Sequence, residues 1–403
     1  MKLFQKLLLV PTAIGLATPI AASASETNYS DVTDYSLNQV EVSLESFKPL
    51  SSKNPLLAGG EGLSSGDTAQ TDFDTDTFSS TTTASFAVNI AAGSVDTGSS
   101  DNVLGWNYDW EMATSTSFTG NDSLDVVLAA GQSKLMSELD MFHSADTADG
   151  AANGVNVDSI SYTTSFGDRS TFFFGNGATA GGSLYNVACV YGAQTDTLSD
   201  CGVASANLDE EFGTAAGASF DFGNGIAVSL GYEGQGMTSK GILSDSGSDA
   251  FGTQISYTGD SYGVSIAYAN IENHDANNNL TGSTGATQST GFNAYYTPDL
   301  DNFPSISVGF ESSHDDTVAD ASDEKSHYFV GLQWDEIGDG SLGAAFGSKA
   351  PYAENGNAET MYEVFYSYNY ADGITVTPIF YGKENTGSTQ DETGLIVKTS
   401  FIF

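Results

Sequence analysis

From about Phe78 to its end the chain alternates apolar and polar residues with a period of two, the pattern of strands whose two faces meet different surroundings. The alternation is plainest over Glu359–Phe403. There YEVFYSYNY and GITVTPIFYG flank the turn Ala371-Asp372-Gly373, and GLIVKTSFIF closes the chain. In that closing segment Leu395, Val397, Phe401 and Phe403 share one face, and Gly394, Lys398 and Ser400 the other. A soluble strand with this pattern hides its apolar face in a core. A strand of about ten residues with aromatic ends, repeated along a chain, fits an outer-membrane β-barrel, and a terminal aromatic such as Phe403, with Phe401, is what such barrels present to their assembly machinery.

Earlier segments read the same way. STTTASFAVNIAA, VLGWNYDWEMATS, SLDVVLAAGQ, VNVDSISYTTSF and RSTFFFGNG give five strand candidates. Between the third and fourth, KLMSELDMF reads as one or two helical turns in a loop. Eleven more candidates follow: 213–222, 225–235, 249–258, 261–270, 289–297, 303–312, 326–335, 339–348, 359–370, 373–383 and 391–403. Their connections alternate. Gly223-Asn224, Gly259-Asp260, Pro298 to Asn302, Glu336-Ile337-Gly338 and Ala371-Asp372 are short and carry turn residues, whereas 236–248, 271–288, 313–325, 349–358 and 384–390 are long and polar. The expected fold is therefore all-β: an antiparallel transmembrane barrel of about sixteen strands, with short periplasmic turns and long extracellular loops. Apolar stripes agree, as in Ile226, Val228, Leu230 and Tyr232, in Tyr262, Val264, Ile266 and Tyr268, and in Tyr328, Val330, Leu332 and Trp334. Each stripe alone would equally serve a soluble sandwich core; the rule of short and long connections is what favours the barrel.

The start of the chain changes the picture next. Lys2 and Lys6, the apolar run Leu7 to Leu16 and Ala22-Ser23-Ala24 predict a signal peptide over 1–24, cleaved near Ala24, and hence export. The run is broken by Pro11 and Pro19 and is too short for a helical span, which needs about 20 residues. Residues 25–77 read as an acidic linker ahead of a barrel over 78–403. Asp72, Asp74 and Asp76 resemble the opening of a calcium loop, but Thr77 stands where its glycine belongs and Thr83 where its closing glutamate belongs, so no metal site is expected there.

Composition fits strands: 45 Gly, 19 Tyr and 24 Phe, with only 8 Pro. The mean hydropathy of -0.16 is too polar for a bundle of membrane helices and suits a barrel with a wet lumen. A net charge of -41 sets nucleic acid aside as a partner, since phosphate binding needs a basic surface. The acidity suits a surface in salty surroundings, loops that hold divalent cations beside lipid, or a cation-favouring pore; charge alone does not choose.

Cys189 and Cys201 stand in the longest insertion, Gly177–Phe212, between the fifth and sixth strands, and in an exported protein they are expected to form a disulfide. That insertion is the candidate constriction loop. Asp196, Asp200, Asp209, Glu210 and Glu211 would make the narrowed region acidic, and carboxylates favour cations. Arg169, the only arginine, opens the fifth strand and is included among the pore candidates. No catalytic elbow or metal-binding His pair occurs around His143, His274, His314 or His327, so neither an enzyme nor a cofactor is expected.

Several segments carry a resemblance: FDFGNGIAVSLGYEGQG, DAFGTQISYTGDSYGVSIAYAN, GFNAYYTPDLDNFPSISVGFE, HYFVGLQWDEIGDGSLGAAFGSKAPY and the closing stretch from MYEVFYSYNY, with the start MKLFQKLLLVP. In these the chain resembles cyanobacterial outer-membrane porins related to the OprB carbohydrate-selective type. The resemblance implies a sixteen-stranded barrel passing small solutes or inorganic ions. It covers the barrel region and not the surface-layer-homology domain such porins usually carry, and the single arginine departs from the arginine-lined pores of sugar porins. The expected function is passive diffusion across the outer membrane, cation-leaning, by a homotrimer among lipid. The alternative is a structural barrel displaying acidic loops to divalent ions or partners.

Overall fold

The computed structural model describes residues 81–97, 104–132, 136, 138–139, 154–209, 212–236, 238–244, 247–272, 286–300, 302–315, 323–349, 352–353, 358–385 and 391–403. The signal-like residues 1–24, the acidic segment 25–77 with its three spaced aspartates, and Glu210, Glu211, His143 and His274 lie outside the described residues.

Among the described residues seventeen strands follow one another. The first nine are β1 (Thr82–Asp96), β2 (Leu104–Thr116), β3 (Asp122–Gln132), β4 (Asn156–Phe166), β5 (Ser170–Asn176), β6 (Thr214–Gly223), β7 (Ile226–Gly234), β8 (Asp249–Thr258) and β9 (Tyr262–Glu272). Then come β10 (Ala286–Tyr296), β11 (Ser305–Asp315), β12 (Glu324–Ile337), β13 (Gly340–Ser348), β14 (Tyr352–Ala353), β15 (Thr360–Ala371), β16 (Ile374–Lys383) and β17 (Glu392–Ile402). All pairings are antiparallel, and sixteen strands close into a barrel. The seventeenth, β14, is a two-residue piece within the connection read from sequence as the loop 349–358. It bonds to Lys325 and Ser326 of β12, the part of that long strand reaching past β13, and so supplies partners to otherwise open backbone.

Closure is made by β1. It runs against β2 from Thr82 opposite Thr116 to Ser94 opposite Leu104, and against β17 from Ala87 opposite Ile402 to Asp96 opposite Thr393. Past the last strand residue, Phe86 and Phe403 exchange backbone hydrogen bonds of 2.8 and 3.0 Å, and their rings stack with centroids 5.6 Å apart. Closure leaves no free sheet edge, the requirement for strands in hydrocarbon. Between β6 and β7 the reversal is made by Asn224 and Gly225, at φ 62° and 80°, a conformation that asparagine and glycine tolerate best.

The two faces of the wall are inverted relative to a soluble protein. Leu230, Ile266 and Leu395 are 59%, 53% and 66% exposed, while Ser229, Ser265 and Lys398, one or three residues away along the same strands, are 2%, 2% and 1% exposed. The apolar stripes anticipated from sequence thus face outward, and the buried polar side chains are the enclosed ones. The described apolar core lies inside the barrel, in two clusters. One gathers Tyr191, Leu198 and Cys201 with Phe329, Phe365 and Ile379; the other gathers Leu184, Val203 and Leu208 with Phe173, Ala215 and Ile271. Both are built on the segment between β5 and β6.

Candidate functional site

That segment runs from Gly177, whose amide donates to the Gly213 carbonyl at 2.7 Å and so ties its two ends together. It contains two short helical turns, Ala180–Leu184 and Asp196–Ser199; the first is capped by Thr179, whose hydroxyl accepts the Gly182 amide at 3.0 Å. Between them residues 186–194 belong to no strand, so their N–H groups need other acceptors.

The barrel wall provides them at every second residue. Ala188 donates to Ser265 Oγ of β9 at 3.1 Å, Val190 to Ser307 Oγ of β11 at 3.0 Å, Gly192 to Gln333 Oε1 of β12 at 2.8 Å and Gln194 to Glu363 Oε1 of β15 at 3.1 Å. The period of two presents one side of the segment to the wall, and each step lands further round the barrel. Two more carboxylates take amides nearer its ends: Glu233 of β7 accepts from Ala180 and Glu311 of β11 from Ala206, both at 2.8 Å. Side-chain amides finish the seam, with Asn207 bonded to Asn293 of β10 at 3.2 Å and to Gln254 of β8 at 3.1 Å.

Room for the segment comes from glycine on the enclosed face. A Cβ on Gly231 of β7 would meet Ala180 Cβ at 2.9 Å, one on Gly252 of β8 would meet the Tyr185 hydroxyl at 2.7 Å, and one on Gly331 of β12 would meet the Tyr191 ring at 2.7 Å. One on Gly309 of β11 would overlap the Cys201 carbonyl oxygen. Gly231 stands directly opposite both Gly217 and Gly252 in the ladder, so the clearance is continuous across β6, β7 and β8.

The densest polar contact is at Glu363, which is fully buried. It accepts from the Tyr191 hydroxyl at 2.8 Å, the Gln194 amide and the Thr195 hydroxyl at 2.6 Å. Tyr191 packs between Phe329 and Phe365, with centroids 5.5 and 6.0 Å away. Burial first, and then the Glu363 carboxylate, push the Tyr191 phenol far above its ordinary range, so it stays a donor.

The residues singled out from sequence are only partly brought together. Cys189 and Cys201 are joined by a disulfide that closes residues 189–201 into a loop against the wall. Asp196 is exposed, and Asp200 and Asp209 are half-buried, all on this segment. Arg169 is exposed at the other end of β5, in the turn from β4, where its carbonyl accepts the Asp221 amide at 2.8 Å; it is not part of the segment's surroundings. Phe401 and Phe403 lie at the closing seam. KLMSELDMF, read as helical, is described only at Met136, Glu138 and Leu139, and there Leu139 forms a β-bridge with Thr195. Among the described residues no group of three or more His, Cys, Asp or Glu is placed to hold a metal.

The residues that sequence reasoning missed are the wall carboxylates. Their signal was present as an aromatic followed by glutamate in Tyr232-Glu233, Phe310-Glu311 and Tyr362-Glu363. In each pair the aromatic takes the outer face and the glutamate the enclosed one.

No family model matches the chain. It is 26% identical over 379 residues to an uncharacterized protein of Nostoc sp. (strain PCC 7120), a match covering 79% of this chain and 64% of that protein, so the chain spans under two thirds of its relative's length. Among solved structures it is similar to Salmonella typhi OmpF in complex with daunomycin, with a TM-score of 0.58 at 13% identity over 79% of this chain and 97% of that one. It is also similar to a mutant of the Rh. blastica porin, with a TM-score of 0.52 at 14% identity over 80% and 100% of the two chains. A loop-deletion mutant of the Vibrio cholerae outer-membrane protein OmpT gives 0.52 at 12% identity over the same shares. Identities this low speak for the fold alone, and the fold is that of the porin structures: a closed, sixteen-stranded antiparallel β-barrel.

Proposed function

We propose that the protein is an outer-membrane porin through which small solutes and inorganic ions diffuse passively, related to the OprB-type porins its sequence resembles. The observation that carries this reading is the 177–212 segment seated along the enclosed wall by hydrogen bonds to β7, β9, β11, β12 and β15. Constriction of the lumen is the role assigned to a segment so placed. The outward apolar faces support a lipid setting, with the short turns on the periplasmic side and the long connections outside. Small side chains among the outward residues of β1, such as Ala84 and Ala92, support contact with other copies in a trimer.

A cation preference is part of the proposal. Asp196, Asp200 and Asp209 lie on the segment with side chains that are not fully buried, and Glu210 and Glu211 follow in sequence. Carboxylates at a narrow point raise the local cation concentration. The test is the reversal potential of the purified protein in a planar bilayer under a KCl gradient. A cation-selective value that falls toward neutral in the triple variant Asp196→Asn, Asp200→Asn, Asp209→Asn is expected. An unselective value unaffected by that variant refutes the cation preference, and the absence of any conductance refutes the porin reading.

A further inference from the structure

The helical turn Asp196–Ser199 is gripped from two sides by different parts of the chain. On one side the wall carboxylate Glu363 holds Gln194 and Thr195 just ahead of the turn. On the other stands Glu138, from the connection between β3 and β4. Its backbone carbonyl accepts the Asp196 amide at 2.9 Å, and its carboxylate accepts the Thr197 amide at 3.3 Å together with the Thr197 hydroxyl. The second carboxylate oxygen pairs with the ammonium of Lys383, at the end of β16. Met136 and Leu139, on either side of Glu138, are buried in the cluster that holds Tyr191 and Leu198.

Two features make this more than an incidental ion pair. The Glu138 and Lys383 side chains are only 8% and 19% exposed, so the pair is poorly screened and neither partner is easily lost. Moreover, the first amides of a helical turn have no acceptor within it, and here both Asp196 and Thr197 find theirs on Glu138. The order of contact is wall, strap, segment: Lys383 fixes Glu138, and Glu138 fixes the turn.

We propose that Glu138 and Lys383 are positioning residues, a strap from the β3–β4 connection that sets where the Asp196–Ser199 turn stands in the lumen and so steadies the aperture. This rests on the porin reading for its effect on current, though not for the strap itself. Two measurements on the full chain test it: amide hydrogen exchange of the detergent-folded protein and single-channel recording in KCl. In Lys383→Met, exchange at Asp196 and Thr197 should rise roughly tenfold or more while Gly182 at the far end of the segment keeps its rate, because opening is local. The current of the same variant should show excursions above the wild-type level. Glu138→Gln, which keeps an acceptor for Thr197, should show the same changes more weakly, and it decides the matter if Lys383→Met does not give a heat-modifiable folded barrel. Unchanged exchange at Asp196 and Thr197, or an equal rise at Gly182, overturns the strap. A wild-type protein that stays silent in the bilayer removes the porin reading instead, and the exchange result still stands on its own.

Discussion

The two faces of a single strand obey different rules here, and β7 shows both. Outward, Ile226, Val228 and Leu230 share one property, apolar bulk, and make no side-chain hydrogen bond; only at the strand end does Tyr232 add a specific contact, its hydroxyl bonding to the Asp249 carboxylate. Inward, each position has its own task. Ser229 donates to the Leu184 carbonyl at 2.9 Å, Gly231 makes way for Ala180 and Leu208, and Glu233 accepts the Ala180 amide. The outer face answers to a solvent and the inner face to a partner. A solvent imposes a repeated, averaged demand, whereas a partner imposes specific, pairwise ones between residues far apart in sequence.

That contrast predicts unequal sensitivity. Ile266 lies in the middle of β9 on the outer face, so Ile266→Arg should cost about 2–4 kcal/mol of barrel stability in lipid, the range for a charge on the lipid face near the midplane. Its inner neighbour Ser265 makes one hydrogen bond to the Ala188 amide, and Ser265→Ala should cost only on the order of 1 kcal/mol. Denaturant unfolding in vesicles compares the two directly. Equal costs, or the larger cost at Ser265, would mean that the outer face of β9 does not meet hydrocarbon.

The second perturbation fills a clearance and leaves the outer face alone. Gly309→Leu puts a side chain where the Cys201 carbonyl sits, an overlap that in packed interiors costs about 1–3 kcal/mol or drives the smaller element away. The same Cβ meets the Asn293 side-chain nitrogen at 2.9 Å, so that side chain must turn aside, but the ladder bonds of Gly309 to β10 and β12 are made by backbone and the barrel should still close. Expected are a folded, heat-modifiable barrel, faster amide exchange over residues 201–208, and a larger conductance. A barrel that folds with wild-type exchange over those residues would show that the segment does not depend on that clearance.

The same contrast explains what could be read from the sequence. Strand number, order and outward stripes follow from alternation and turn residues, since each rests on local pattern. Bounds shift by a few residues: Ala286 rather than 289 opens β10, because its pairing with β9 runs on to Glu272. The two-residue strand β14 was not legible, because it exists only to pair the overhang of β12, a tertiary need without local signature. The segment stood out in the sequence by its length and its two cysteines. Its acceptors did not. Glu233, Glu311 and Glu363 look like any polar residue of an alternating strand, and attention fell instead on the acidic residues of the segment itself. Gly231, Gly252 and Gly309 read as composition until the register lines them up with the chain that passes them.

Glu363 offers the finest test, because the change is a single charge. Glu363→Gln keeps the shape and one acceptor oxygen, but its amide group now faces three donors: the Tyr191 hydroxyl, the Gln194 amide and the Thr195 hydroxyl. Bonds to a charged acceptor weaken, while the cost of burying a carboxylate disappears, and the two effects oppose. The expected net loss is on the order of 1 kcal/mol, seen as a lower denaturation midpoint at unchanged slope. Glu363→Ala removes the acceptor altogether and leaves all three donors without it, so it should cost more than the glutamine variant. That ordering is the informative part. If glutamine and alanine cost the same, the carboxylate contributes through its charge alone; if neither costs anything, the segment is held by its apolar contacts with Phe329 and Phe365, and the inner face is less specific than its hydrogen bonds imply.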